Sequence, residues 1–340
     1  MKLMLLYVII GSVSLYLINL LFIKLNFLVE DESSNSHRKI LALKNKKVQS
    51  GGLFLLTTIL FIVFYSDIDL TLVLILIFFL GVLSDMDLIK SPKFRILLQL
   101  TIIIFLTYNT SILIEETRIV ILDKFIQNKI LSFLFTVFCF LILVNGCNFI
   151  DGANNLLIGY FLIVSVCIFS ITHFTKINFS QNNFEYIILC LLILFVFNFF
   201  SKIIMGDSGA YLIGLFFGFL LINFSNNNEN ISPIYILNLL WYPAFENLFS
   251  ILRKKKQSIS ISFADNYHLH HLIFKKLNKK FKNNKFNNSL TGMIINTFNL
   301  ATISLATLIS DHSVNLTIIL IFNITAYLSV YYSLSRKTGT

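Results

Sequence analysis

"FLFTVFCFLILVNGCNFIDGANN", Phe133 to Asn155, decides the fold. Its first half, Phe133 to Val144, is an almost unbroken apolar run, and a membrane span needs about 20 such residues. Its second half breaks the run with four amides, Asn145, Asn148, Asn154 and Asn155, and one carboxylate, Asp151. A span thus ends in a polar cluster that is richer than a helix end requires.

Runs of the same kind recur along the whole chain, at roughly 3–28, 50–66, 69–84, 94–110, 130–147, 155–173, 184–203, 208–224, 231–252, 291–310 and 313–334. Of the 340 residues, 56% are hydrophobic and only 13% charged, and three prolines leave little punctuation between runs. The composition specifies an all-α, polytopic membrane protein with about 11 transmembrane helices. Polar segments are short throughout and there is no tandem repeat, so residues 1–340 read as a single membrane-embedded domain. The first run follows only Lys2 and lacks a small-residue cleavage site, so it is expected to be a retained span. Cys139, Cys147, Cys167 and Cys190 lie in or beside apolar runs without a CxxC pair, and they are expected to pack unpaired.

With the first end placed outside, the odd-numbered connections carry the bases: "HRKILALKNKK", "KSPKFR", "RKKK" and "KKLNKKFKNNK". This is the asymmetry of a cytoplasmic face. The net charge of +10 then reflects topology and anionic lipid headgroups of the bilayer; no nucleic-acid-binding pattern is present. Every unusual polar cluster has the same parity: "HRK" and "QSGG", then "SDMD", "NGCNFIDGANN", "MGDSG" and "ADNYHLHH". Helix capping explains any one of these loops as well as chemistry does. It does not explain five of them on one face. The fourth connection, "SILIEETRIVILDKFIQNK", alternates weakly and is expected to form a short hairpin.

Asp207 and Ser208 precede an apolar helix whose first N–H groups and dipole suit an anion such as phosphate. Asp85 and Asp87 lie close in sequence to Lys90, Lys93 and Arg95. Carboxylates for a hard cation beside bases for phosphates suit Mg²⁺, which is usually held by one or two carboxylates plus substrate phosphates. Three histidines, His268, His270 and His271, lack the thiol or fourth ligand of a zinc site, and they read instead as donors to a diphosphate. After them Leu269, Ile273, Leu277 and Phe281 recur every four residues among lysines, the pattern of an amphipathic helix on the inner leaflet.

Taken together, "GVLSDMDLIKSPKFRILLQ", "NGCNFIDGANNLLIG", "MGDSGAYLIG" and "DNYHLHHLIF" resemble, in the same order, the polyprenyl-phosphate N-acetylhexosamine-1-phosphate transferases. The resemblance runs from about His37 to Phe274, and "HLHH" is more like the GlcNAc-type branch than the branch that transfers phospho-MurNAc-pentapeptide. It implies a multi-pass enzyme of the bacterial inner membrane with its site facing the cytoplasm. Such an enzyme moves a sugar-1-phosphate from a UDP-N-acetylhexosamine to undecaprenyl phosphate, releasing UMP, with Mg²⁺ or Mn²⁺, in the initiation of O-antigen or cell-wall glycan synthesis.

On that basis Asp207 is expected to be the main metal ligand, with Asp85 near the lipid phosphate or metal and Asp151 near the nucleotide or metal. His37, Arg38, Lys39, Gly51, Gly52, Asp87, Arg95, Asn145, Asn148, Asn154, Ser208, His268, His270 and His271 complete the expected substrate-facing set. The chain departs from the family twice. Ser84-Asp85 stands where an Asp pair is common, and Asp151-Gly152-Ala153-Asn154-Asn155 stands where Asp-Gly-x-Asp-Gly is common. The missing acids leave open a catalytically silent scaffold, and eleven spans alone would equally suit a transporter or flippase. The sequence fixes neither the sugar nor the oligomeric state, a homo-oligomer included.

Overall fold

The computed structural model describes residues 2–30, 47–64, 67–175, 183–258, 266–281 and 284–337. Among them the helices are α1 (Lys2–Leu25), α2 (Gly51–Val63), α3 (Ile68–Asp85), α4 (Pro92–Thr110), α5 (Val120–Ile126), α6 (Lys129–Ile150), α7 (Leu156–Thr175), α8 (Glu185–Phe199), α9 (Gly206–Asn226), α10 (Pro233–Lys256), α11 (Leu269–Lys280), α12 (Asn284–Leu308) and α13 (Ser313–Lys337). Two short strands, β1 (Val29–Glu30) and β2 (Lys47–Val48), pair antiparallel.

Each of the eleven apolar runs is a helix, and the protein is an all-α polytopic membrane protein. Seven of the described helices, α1, α3, α6, α7, α9, α12 and α13, are long and apolar enough to cross a membrane by length and composition. The apolar α2 and α8 are shorter, at 13 and 15 residues. Lys93 and Arg95 charge the start of α4, while α10 carries Glu246 in its body and four bases in its last turn. All four cysteines are unpaired, as expected.

The centre of the bundle is α9, with α2, α3, α6 and α10 around it. After Asp207 this helix has no charged residue, and nearly all of it is buried. A helix that is apolar all round belongs inside. Its small residues permit the close approach: a Cβ on Gly214 would lie 3.0 Å from Val144 Cα, and one on Gly218 2.8 Å from the Phe140 ring. At the periphery, α1 and α13 leave Leu3, Leu5, Val314 and Ile318 exposed, faces suited to lipid rather than water.

Local chemistry fixes the helix starts. Asp67 accepts from Leu70 N at 2.8 Å to cap α3, Asn128 accepts from Ile130 N at 2.9 Å to cap α6, and Ser232 accepts from Ile234 N before Pro233 to cap α10. Pro243 interrupts α10 and cannot donate to the Leu239 carbonyl. The Tyr160 hydroxyl donates to that carbonyl instead, at 2.8 Å.

Two local expectations are corrected. The fourth connection forms α5 rather than a hairpin, because Asp123 accepts from both Thr117 N and Thr117 Oγ1, at 2.7 and 2.6 Å, and winds the loop into a helical turn. The amphipathic helix after the histidines exists as α11, but it packs against α12 and α13. It buries Leu272 and Phe274 with its histidines, whereas Phe281 lies exposed beyond its end.

Candidate functional site

The connections named in the sequence meet at one end of the bundle, around the start of α9. Val48 pairs with Ile203 in a parallel bridge, and Ile204 N donates to Val48 O at 2.9 Å. The start of α2 is thereby drawn against the turn before α9. A Cβ on Gly52 would lie 2.7 Å from Gly209 N, and one on Gly51 would press on Met205. Close helix contact is the evident requirement at both glycines.

Unlike α3, α6 and α10, α9 has no side-chain cap of its own. Its N–H groups go to acids from other helices. Asp85, at the end of α3, accepts from Asp207 N at 2.8 Å and from Ser208 N at 3.0 Å, while Asp151, closing α6, accepts from Gly206 N at 3.1 Å. Gly206 has φ +69, and a Cβ there would lie 2.7 Å from Asp85 Oδ2, so both backbone and space demand glycine. The expectation that these N–H groups hold a phosphate is thus corrected in its occupant: the protein's own carboxylates fill the anion position. The donors and dipole are as anticipated, and the nearest anions are built in.

Asp207 is placed differently. Its Oδ2 accepts from Ser84 Oγ at 2.5 Å, Arg95 Nη1 at 2.9 Å and Tyr211 Oη at 3.3 Å. Its Oδ1 takes no hydrogen bond among the described residues, and the side chain is 15% exposed. Arg95 Nη1 also donates to Ser84 Oγ at 2.7 Å. Ser84 thus bridges Arg95 and Asp207 as a neutral group. A carboxylate in its place would set two like charges against each other.

The remaining expected residues separate into groups. Asn145, on α6, donates to Gln99 Oε1 at 2.9 Å, and Asn148 lies half-buried one turn before Asp151. Asp87 sits exposed in a left-handed turn just beyond the cluster. Asn154 belongs to a buried network: its amide donates to Ser201 Oγ at 2.6 Å and Ser289 Oγ at 3.2 Å, and its Oδ1 accepts from Asn288 at 3.3 Å. Asn155, where the resembling family commonly has Gly, has φ +62, a region Asn tolerates better than other non-glycine residues. His37, Arg38 and Lys39 lie outside the described residues.

The histidines border the acid loop. His270 is fully buried, and a Cβ on Gly152, next to Asp151, would strike its ring. Burial first, then His271 and His268, pushes the His270 imidazole well below its ordinary value, so it is neutral near pH 7. Its ring centroid is 4.2 Å from that of His271. His268 Nδ1 lies 2.9 Å from Glu246 Oε1, on a side chain of α10 that is wholly buried. Arg253 donates to Tyr267 O and to Tyr331 Oη at 3.2 Å, which ties the segment before the histidines to α10 and α13.

Four functional candidates emerge only here: Tyr211, Glu246, Arg253 and Lys254, the last two buried despite their charge. Glu246 had a signal in the sequence. It is the one acid inside the run 231–252, and ionisable groups within spans are rarely idle.

A polytopic helical membrane protein whose acids and arginine converge on one helix start defines the class. Residues 68–225, spanning all three aspartates and Arg95, match glycosyl transferase family 4. The chain is 26% identical to the undecaprenyl-phosphate alpha-N-acetylglucosaminyl 1-phosphate transferase of Thermotoga maritima, over 75% of this chain and 76% of that protein. It is 28% identical to the decaprenyl-phosphate N-acetylglucosaminephosphotransferase of Mycolicibacterium smegmatis, over 44% of this chain and 42% of the relative. A probable undecaprenyl-phosphate N-acetylglucosaminyl 1-phosphate transferase of Bacillus subtilis is 23% identical, over 62% and 59%. The chain therefore spans less than two thirds of the latter two.

Proposed function

We propose that the protein transfers N-acetylhexosamine-1-phosphate from a UDP-sugar to undecaprenyl phosphate at the cytoplasmic face of a bacterial inner membrane, releasing UMP and starting an envelope glycan. The activities for which the relatives are named favour GlcNAc as the sugar. The observation that carries the reading is Asp207: a carboxylate with one oxygen fixed by Arg95 and Ser84 and the other open at the mouth of the acid cluster.

The acceptor phosphate, with a second pKa near 6, is largely dianionic at neutral pH and needs little help from a base. The task is to bring two anions together. Arg95 uses Nη1 on Asp207 and Ser84, leaving the rest of its guanidinium for phosphate oxygens. Asp85 and Asp151 hold the first turn of α9 so that Asp207 is fixed before substrate arrives. Asn148 offers its amide to the nucleotide and Asn145, whose NH₂ is held by Gln99 and Leu141 O, its Oδ1, and the histidine segment faces the same loop.

Among the described residues no three His, Cys, Asp or Glu side chains form a metal cage. Asp207, with Oδ2 held by Ser84 and Arg95 and its side chain 15% exposed, suits Mg²⁺ bound through one carboxylate together with substrate phosphates. When bound, the ion supplies charge neutralisation for the diphosphate.

Purified protein given undecaprenyl phosphate and UDP-GlcNAc should form a lipid diphosphate sugar and UMP with Mg²⁺ or Mn²⁺. Full turnover in excess EDTA, or UDP as the product, overturns the reading.

A further inference from the structure

Asp207 is balanced by a cation of the protein itself. Its Oδ2 takes Arg95 Nη1 at 2.9 Å, and the two side chains are 15% and 28% exposed, so water screens the pair only in part. Ser84 is the third member. It is buried, and its hydroxyl donates to Asp207 Oδ2 at 2.5 Å while accepting from Arg95 Nη1 at 2.7 Å. Ser84 contributes contacts but no charge, so within this trio one guanidinium matches one carboxylate.

The other two acids of the cluster are committed to the main chain of α9. Asp85 places one oxygen on Asp207 N and the other on Ser208 N, and Asp151 Oδ2 accepts from Gly206 N. Both therefore face the positive end of that helix. A hard cation coming from solvent meets Asp207 Oδ1 beside a guanidinium that repels it. Mg²⁺ sheds water reluctantly and commonly relies on substrate phosphates for part of its coordination. A diphosphate alters both terms: it brings oxygens for the ion, and it draws the remaining N–H groups of Arg95, whose charge is then shared between phosphate and Asp207. An acid at position 84 would end this balance. Two carboxylates would face one guanidinium at hydrogen-bond range, and their surplus charge would attract a divalent cation with no nucleotide present.

We infer that Ser84, by leaving Arg95 matched to Asp207, makes the divalent cation enter with the nucleotide sugar rather than before it. Ser84 thus acts as a positioning residue that sets the order of binding. The inference rests on the phosphotransferase reading for its ligands, whereas the trio of side chains does not.

Electron paramagnetic resonance of Mn²⁺ with purified protein, without lipid acceptor and so without turnover, tests the order. Once the ion held by UDP-GlcNAc in solution is subtracted, wild-type protein should bind Mn²⁺ about 10-fold or more tightly with UDP-GlcNAc than alone, and Mn²⁺ should tighten UDP-GlcNAc by the same factor. Ser84→Asp should bind Mn²⁺ without nucleotide about 10-fold more tightly than wild type and gain less from UDP-GlcNAc. Arg95→Gln, which removes the cation instead of adding an acid, should raise nucleotide-free affinity in the same direction and serves where Ser84→Asp fails to fold. Ser84→Asn, the size of aspartate without its charge, should stay close to wild type. Equal Mn²⁺ affinity of the wild type with and without UDP-GlcNAc, no tightening in Ser84→Asp and Arg95→Gln, or tightening in Ser84→Asn as large as in Ser84→Asp would each overturn the inference. Wild-type UMP release tests the reaction separately: nucleotide-dependent Mn²⁺ binding without UMP would remove the transfer reading and uphold the order of binding.

Discussion

Two helices, α9 and α11, begin at the same end of the bundle without a side-chain cap of their own, and each receives a carboxylate from another helix. At α9 the donated acid, Asp85, places both oxygens on backbone N–H groups. At α11 the donated acid, Glu246, gives one oxygen to an imidazole and the other to a tyrosine, and its bond to the backbone is the weakest of the three. The first arrangement fixes main chain and leaves the neighbouring acid, Asp207, to meet solvent. The second fixes a ring. Acids that look alike in sequence therefore divide into one that meets solvent, those that hold its helix, and one that ties α10 to a histidine and to α13.

The largest expected effect tests the first division. Asp207→Asn keeps shape and the contact with Ser84 but removes the charge that pairs with Arg95, and UMP release should fall by about 10²–10³, as for other preorganised electrostatic contacts. Its thermal midpoint should stay near the wild-type value, because the lost ion pair is partly exposed. Wild-type turnover in this variant would move the reaction centre away from α9.

Asp85→Asn should behave differently at nearly equal chemical cost. An amide offers one acceptor oxygen to two N–H donors and turns its own NH₂ toward one of them. One N–H of α9 loses its partner, which costs about 1–3 kcal/mol. The expected result is a lower midpoint together with reduced turnover, whereas Asp207→Asn lowers turnover alone. Equal midpoints for the two variants would erase the distinction between holding acid and working acid.

Legibility in the sequence follows the range of the interactions. Apolar runs are local, and each of the eleven became a helix with ends close to those expected. Asp85, Asp151, Asp207 and Arg95 could be named because each stands out within its own loop. Their division of labour could not, since Asp85 and the N–H it holds are 122 residues apart. Asn154 stands in the same loop as Asp151, yet a partner on α12, 134 residues away, draws it into a buried network. Glu246 stands out in the sequence as an acid inside a span, but its partner, His268, lies 22 residues on, in a different loop.

A third variant probes the α11 side. Among the described residues Tyr327 gives Glu246 Oε2 its one hydrogen bond, so Tyr327→Phe leaves a buried carboxylate oxygen without that donor, at about 1–3 kcal/mol. The midpoint should fall, and by less than in Glu246→Ala, because Oε1 still holds His268.

The smallest effect is expected at Ser84, and it sharpens the comparison because Ser84 serves Asp207 as Tyr327 serves Glu246. Each is a hydroxyl donating to an acid oxygen, at 2.5 and 2.7 Å. If hydrogen-bond length governed the cost, Ser84→Ala would be the more damaging change. Burial argues the reverse. Asp207 is 15% exposed and keeps Arg95 on the same oxygen, so water and the guanidinium replace the lost donor. Glu246 is at 0% and has no such reserve. Ser84→Ala should therefore cost within about 1 kcal/mol in stability, with UMP release retained and a modest rise in the Mg²⁺ concentration needed for half-maximal rate, as Asp207 loses one of its fixings. Midpoints and Mg²⁺ titrations of Ser84→Ala and Tyr327→Phe, run side by side, check this. A larger stability loss at Ser84 would mean that the α9 acids depend on their hydroxyl donor as strongly as the buried pair at α11.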